Sequence, residues 1–388
     1  MKIAISTLIV RPERSGSNEP YLVNLIDALA QIDDQNEYLL FVTQQNRRTF
    51  ERVFSAQFLP VTMPDWAYTR PGRIFLDQFI VPIIAQAKGV DVLHFPGTVG
   101  SIVPLPGIKM VVTVHYDIDS AHAPSISWSK RLYFNSLFRL SNRNASLLIV
   151  PSQSFGQSLA ERWHLPSKKV RVVYHGLNVC LVNQLTPFRT IQDRYGLRPG
   201  YLLSVTNSLP HKNLSGLLEA FAILRRQITD NPQLVLVGDI AKAVLYAKKQ
   251  AIISKNIDLP VDDIISTGFL PHSEVYALYA HAFVMINPSF TESASMTVLE
   301  AIANGCPVVA SNIPVHHEIL GEAGLFVDPS SAKKIASACF QLFGDSSLRQ
   351  VMISRGLTKA REYSWKKTAL DTLSVYQAVN GLTGEGER

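Results

Sequence analysis

Cysteine is the scarcest residue in the 388-residue chain: three are present, Cys180, Cys306 and Cys339, odd in number and far apart. That excludes a disulfide framework, lacks the paired spacing of a zinc site, and points to a reducing compartment. Long apolar runs are missing as well. The nearest candidate, Phe79-Ile80-Val81-Pro82-Ile83-Ile84-Ala85, falls short of the ~18 uninterrupted apolar residues a membrane-spanning helix needs, so none is predicted. No tract of five or more basic residues occurs. Neither half carries a Gly-x-Gly-x-x-Gly after a strand with an acid about 20 residues later, which argues against a nicotinamide-type dinucleotide site.

What is present is a folded composition, 47% hydrophobic and 18% charged, which rules out disorder and fibrous repeats. At roughly 100–200 residues per domain the length predicts two domains, at most three. The net charge of +6 is unevenly placed: residues 1–190 hold 19 Lys/Arg and 13 Asp/Glu, residues 191–388 hold 18 of each. So dilute an excess is a weak footprint for nucleic acid, and no nucleic-acid partner is expected; an anionic partner for the first half is. Met1 to Thr7 reads as a first buried strand and not as a signal peptide.

Short β-rich runs alternate with helical stretches at Lys2–Thr7, Glu37–Thr43, Val90–Phe95, Met110–His115, Leu147–Pro151 and Val170–His175. The rhythm restarts at Tyr201–Thr206, Gln233–Gly238, Ile264–Gly268, Phe283–Pro288, Pro307–Ser311 and Gly324–Val327. This predicts an α/β protein with two Rossmann-like, doubly wound parallel-sheet domains whose strand ends face a central cleft. The expected boundaries are a first domain over 1–182, a linker over 183–199 within the Pro- and Asn-bearing Leu177–Gly200 stretch, and a second domain over 200–363. A helix over 364–380 is expected to pack back on the first domain, and 381–388 to fray.

The most informative segment runs from Asn287 to Pro307. A strand ends at Pro288, a small-residue turn follows, and a helix begins near Ser293 and stops at Gly305-Cys306-Pro307. Backbone N–H groups at such a helix start suit a diphosphate, and Glu300, two turns in, is placed to accept from neighbouring hydroxyls. On spacing alone Glu292 is equally a residue favoured by the helix dipole, and Glu300 a solvated helix residue.

Glu292-x7-Glu300, followed by Ala301 and Gly305-Cys306-Pro307-Val308-Val309-Ala310-Ser311, resembles the signature of family 4 retaining glycosyltransferases, the glycosyl transferases group 1. In the same order, Val205 to Leu214 resembles that family's first strand-to-helix turn of the second domain, Thr267-Gly268-Phe269-Leu270-Pro271 its nucleotide-base turn, and Gly324 to Pro329 its late strand. Asp91 to His94 and Val112 to His115 resemble strands of its acceptor domain, and Val150-Pro151-Ser152 the strand before its interdomain helix.

The resemblance implies a GT-B fold and transfer, with retention, from a nucleoside-diphosphate sugar to a saccharide or lipid-linked acceptor in polysaccharide or glycolipid biosynthesis. It implies no cofactor and no required metal. The implied catalytic residues are Glu292 on the donor sugar, Lys212 on the diphosphate and His115 beside the sugar; a lone strand-end histidine is otherwise a structural residue. Implied donor-binding residues are Glu300 on the ribose, Ser293, Ala294, Ser295, Met296, Thr297, Asn207, His211, Gly268, Phe269, Leu270 and Gly16. Three departures stand out: Ser293-Ala294-Ser295 replaces Gly-Phe-Gly, Asn207 and His211 replace arginines, and Gly16-Ser17 replaces a glycine pair.

Between Ser127 and Arg143, Tyr133, Leu137 and Leu140 form one stripe. Trp128, Arg131, Phe138, Arg139 and Arg143 form another. One stripe is expected on the sheet, and Arg131, Arg139 and Arg143 either against an anionic membrane surface, which would make this a cytoplasmic protein held peripherally at the inner face of the membrane, or in water as ordinary arginines of a surface helix. Two rivals remain open at this point, a sugar-nucleotide epimerase on the same fold and a non-catalytic partner that binds sugar nucleotide or saccharide. A glycoside hydrolase is disfavoured for want of a carboxylate pair flanking the sugar.

Overall fold

A computed structural model describes residues 1–11, 18–116, 128–177, 186–229, 231–240, 242–243 and 260–381. They fall into two compact units, one holding residues up to 176 together with 364–381, the other the remainder up to 363. Each is built on one all-parallel sheet, as the strand rhythm predicts.

In the first unit the strands are β1 (Lys2–Ser6), β2 (Glu37–Val42), β3 (Phe58–Thr62), β4 (Val92–Phe95), β5 (Lys109–Thr113), β6 (Leu147–Val150) and β7 (Val170–Val172), ordered β3-β2-β1-β4-β5-β6-β7. In the second they are β8 (Leu202–Val205), β9 (Leu234–Val237), β10 (Ile264–Gly268), β11 (Val284–Asn287), β12 (Val308–Ser311) and β13 (Gly324–Val327), ordered β10-β9-β8-β11-β12-β13. Central strands such as Leu-Leu-Ile-Val of β6 and Leu-Val-Leu-Val of β9 are apolar throughout because helices cover both faces. Strand order reverses between β1 and β4 and between β8 and β11, the two places where ligands settle in such sheets.

Two features depart from the sequence expectation. Strand β3 was not expected: it carries Pro60, which a parallel sheet tolerates at an edge, and its half-exposed residues break the apolar run. Residues 183–199, expected as a linker, carry in their described part the helix Phe188–Tyr195, packed on the second unit through buried Ile191 and a ring stack of Phe188 on His281 at 4.0 Å. Pro187, which reads as loop punctuation, is the N-cap of that helix, and Gly196 its C-cap.

The first core is completed from the far end of the chain. Ala369, Val375, Tyr376 and Val379 of the helix Trp365–Gly381 join Leu22, Leu25 and Leu29 of the helix Asn18–Ile32 over one sheet face. A buried polar line runs through this layer. Tyr376 Oη meets His94 Nδ1 at 2.7 Å, His94 Nε2 meets Thr113 Oγ1 at 2.7 Å, and Thr113 Oγ1 meets Tyr21 Oη at 3.2 Å. Burial pushes His94 down to about 3, so the ring is neutral and fits a line of uncharged groups.

Entry into that last helix is tight. A Cβ on Gly176 would lie 2.2 Å from the Trp365 amide nitrogen and 2.5 Å from the Ser364 carbonyl carbon, and backbone cannot swing aside. Gly176→Ala should therefore cost about 1–3 kcal/mol, seen as a lower urea midpoint with faster amide exchange over 365–381. An unchanged midpoint would contradict the packing described.

Candidate functional site

The carboxyl ends of β8 and β11 are neighbours at the reversal point of the second sheet, and the two loops that leave them are tied together. Asn213, held at φ 54°, donates from Nδ2 to the Pro288 carbonyl (3.2 Å) and the Pro329 carbonyl (2.7 Å). Its Oδ1 accepts from Gly216 N and caps the helix Leu214–Arg225. The Phe290 amide donates to the His211 carbonyl at 2.8 Å. Asn207 Oδ1 accepts from the Leu209 amide at 3.0 Å and folds the first of these loops.

Across this junction Lys212 Nζ donates to Glu292 Oε1 at 2.6 Å, with the side chains 18% and 10% exposed. Burial opposes ionisation of Glu292, but the Lys212 ammonium, through charge and hydrogen bond, holds the carboxyl below its usual range. After Ser293 and Ala294 comes Ser295, in the left-handed region at φ 48° as N-cap of the helix Met296–Ala303. Its buried hydroxyl caps nothing and has no partner among the described residues. Met296 and Thr297 open the helix, and Thr297 Oγ1 accepts from Asn287 Nδ2 at 3.4 Å.

Glu300, in the second turn, is an acid without a counter-charge. Burial pushes it up to about 7, and the nearby Tyr279 hydroxyl, itself buried without a well-formed hydrogen bond, offsets part of the rise. Along the same sheet edge Gly268 ends β10 at φ 73°, with its carbonyl bonded to the Gly238 amide at 2.9 Å. Phe269 follows with 62% of its surface exposed, then half-buried Leu270.

His115 belongs to the first unit, where it packs edge-on against Tyr21 at 4.6 Å; burial pushes it down to about 4. Gly16 lies outside the described residues. Among the described residues no group of three or more His, Cys, Asp or Glu is placed to hold a metal ion, and no helix is long and apolar enough to cross a membrane.

One residue was missed from the sequence. His316, in the helix Pro314–Leu320, is wholly buried within electrostatic reach of Glu292 and Lys212. Its Nδ1 lies 2.9 Å from the Ser311 carbonyl and must donate to it, which leaves Nε2 as a buried lone pair with no partner among the described residues. The His316-His317 doublet behind β12 was the available signal.

The helix Trp128–Asn144 is turned differently from the expected stripes. Phe138 is buried against Trp163 at 4.6 Å, whereas Leu140 is 47% exposed. The inner face continues through small polar residues, Ser141 accepting from the Gly100 amide at 2.7 Å, so an apolar stripe could not reveal it. Arg139 stands over the Trp163 ring at 5.6 Å, and the Arg131 side chain is outside the described residues.

Two family models match, Glycosyltransferase Family 4 over residues 19–180 and Glycosyl transferases group 1 over 190–359. O-antigen chain mannosyltransferase B of Escherichia coli is 30% identical over 182 residues, 46% of this chain and 46% of that protein. O-antigen chain mannosyltransferase RfbU of Salmonella typhimurium is 27% identical over 231 residues, 59% of this chain and 60% of that one. The chain thus spans about half the length of the curated relatives it matches. Among solved structures, HepE of Anabaena in complex with UDP and glucose superposes at a TM-score of 0.70 with 17% identity, over 97% of this chain and 100% of that one, a likeness of fold.

Glu300 gives a direct test of the site's electrostatics. Its carboxyl, ordinarily near 4.5, is held at about 7. Between those values the native state keeps a proton that the unfolded chain has released, so stability falls as pH rises through that window and stays reduced above it. Glu300→Gln should abolish this fall and gain about 1 kcal/mol over the wild type at pH 8 relative to pH 5, after discounting for partial exposure. Urea unfolding at both pH values checks it, and an identical pH slope in the variant would refute the assignment.

Proposed function

Because the chain belongs to the family 4 glycosyltransferases, we propose that it transfers a sugar, with retention, from a nucleoside-diphosphate sugar to a saccharide or lipid-linked acceptor in polysaccharide biosynthesis. The observation that carries the reading is the buried Lys212–Glu292 pair at the β8/β11 reversal, beside the N-terminus of the Met296–Ala303 helix. A leaving diphosphate is stabilised there by the ammonium and by backbone N–H groups. Glu292, once its lysine turns to phosphate, accepts from hydroxyls of the donor sugar, and Glu300 from those of the ribose. Phe269, exposed two strands away along the same edge, offers its ring to the base. The mannosyltransferase relatives and the nucleotide-bound HepE support this reading.

In this mechanism the departing diphosphate takes the acceptor proton on the face of attack, so no residue is assigned as base. The charge on the diphosphate is met by Lys212 and the helix start, which makes metal and cofactor dispensable. The protein works in the cytoplasm, where Arg139 and Arg143, exposed beside Leu132 and Leu140, together with Arg131, hold it to the anionic inner face of the membrane.

A thermal-shift screen across UDP-, GDP- and ADP-sugars should find one base that stabilises the protein, by ~2.7 kcal/mol at 100 times its dissociation constant. Lys212→Ala and Glu300→Ala should lose most of that shift and slow donor turnover by about tenfold or more, and wild-type turnover should persist in EDTA. Wild-type rates in both variants, or activity lost to chelator and restored by magnesium, would refute the site and its metal independence respectively. In flotation with vesicles containing anionic lipid, the protein should rise with lipid at low salt and not at high salt. Arg139 and Arg143 contribute about 1 kcal/mol each; absence of lipid association at low salt removes the membrane claim.

A further inference from the structure

The first unit has a hollow of its own. It opens to solvent at the carboxyl ends of β1 and β4, where that sheet reverses its order, and holds about 60 Å³ of accessible space. Arg73 and Asp77, one turn apart, both line it. Asp77 stands on a π-helical turn, Leu76–Ile80, a widening that often marks functional positions.

The chemistry of the walls is specific. Ser6 Oγ donates to Asp77 Oδ1 at 2.6 Å, and Asp77 Oδ2 has no hydrogen-bond partner among the described residues. Arg73 Nε is buried and likewise without a partner among them. Tyr116 presents a ring 49% exposed. The Pro96–Thr98 turn forms another wall with Thr98 in the left-handed region at φ 70°, and His115 braces it: the His115 amide donates to Thr98 Oγ1 at 3.3 Å, and Nε2 meets the Pro96 carbonyl at 3.1 Å. Burial pushes Asp77 up to about 6, against the Ser6 hydrogen bond and the Arg73 charge, so it is mostly ionised at neutral pH.

An open carboxylate oxygen calls for hydroxyl donors, and with the Arg73 guanidinium beside it the walls carry no net charge to draw in a phosphate. One guanidinium N–H suits a ring or hydroxyl oxygen, and an exposed phenol ring suits a C–H face. We propose that this pocket binds an uncharged sugar ring, with Asp77 Oδ2 accepting from its hydroxyls, Arg73 Nε donating to an oxygen and Tyr116 covering one face. The ring is the receiving end of the acceptor, a place in the reaction that rests on the transferase reading above. The pocket thus selects a neutral saccharide terminus over a phosphorylated one.

Saturation-transfer NMR on the full chain, with methyl α-D-mannopyranoside as probe and no donor present, tests the pocket without turnover. The wild type should bind the glycoside, and mannose 6-phosphate should not displace it. Asp77→Asn should weaken binding about tenfold, as should Tyr116→Ala, an exposed position that keeps the test alive if the Asp77 variant fails to fold. Wild-type affinity should rise from roughly pH 5 to pH 7 as Asp77 ionises and stay flat in Asp77→Asn. No glycoside binding, equal binding by both variants, or tighter binding of the phosphate would overturn the proposal. Thermal shift by nucleotide sugars should be untouched by Asp77→Asn, so failure of the donor reading and failure of this pocket register in different experiments.

Discussion

The second unit is organised around one buried ion pair. Lys212 and Glu292 lie 80 residues apart in sequence and 2.6 Å apart in space, almost withdrawn from water, so each is the other's main compensation. Removing one partner from such a pair strands a charge, at about 3–5 kcal/mol. The surrounding backbone is correspondingly pinned, through Asn213 to two carbonyls and through Phe290 to His211. An anion that draws the ammonium away leaves Glu292 in need of a new hydrogen-bond donor. Phosphate and polyol are therefore complementary demands made by a single pair.

Around that pair stand polar groups whose own needs are unmet among the described residues. The Ser295 hydroxyl and His316 Nε2 are buried without partners, and burial pushes the Glu300 carboxyl up to about 7. Each such group costs stability, of the order of 1–3 kcal/mol when nothing satisfies it. Ser295 and Glu300 follow Glu292 along the chain and His316 lies within electrostatic reach of the pair, which marks this edge of the sheet as shaped for binding more than for stability. The first unit repeats the pattern on a smaller scale with Asp77 and Arg73, again where strand order reverses.

The sheets were legible because buried parallel strands must be apolar on both faces, and runs such as those of β6 and β9 cannot be much else. Strand β3 escaped because an edge strand is free of that demand and can carry Pro60. The helix Phe188–Tyr195 escaped because eight residues give too little periodicity to stand out. The spacing of Glu292 and Glu300 marked the segment, but contact between Glu292 and Lys212 is a property of the folded sheet. His316 was hidden for the same reason. The turn of the Trp128–Asn144 helix was misjudged because its inner face is closed by polar side chains satisfied by loop backbone, which hydrophobicity does not register.

The helix Trp365–Gly381 follows the whole second sheet in sequence yet supplies Ala369, Val375, Tyr376 and Val379 to the first core. On the ribosome this inverts the usual order in which domains mature. The earlier sheet emerges first but waits with that face covered only in part, by the helix Asn18–Ile32, and His94 without its tyrosine, until Trp365–Gly381 is translated. The later sheet has all its strands in hand by then. The domain begun first is the domain finished last, and its exposed apolar face is the surface that needs shielding during synthesis.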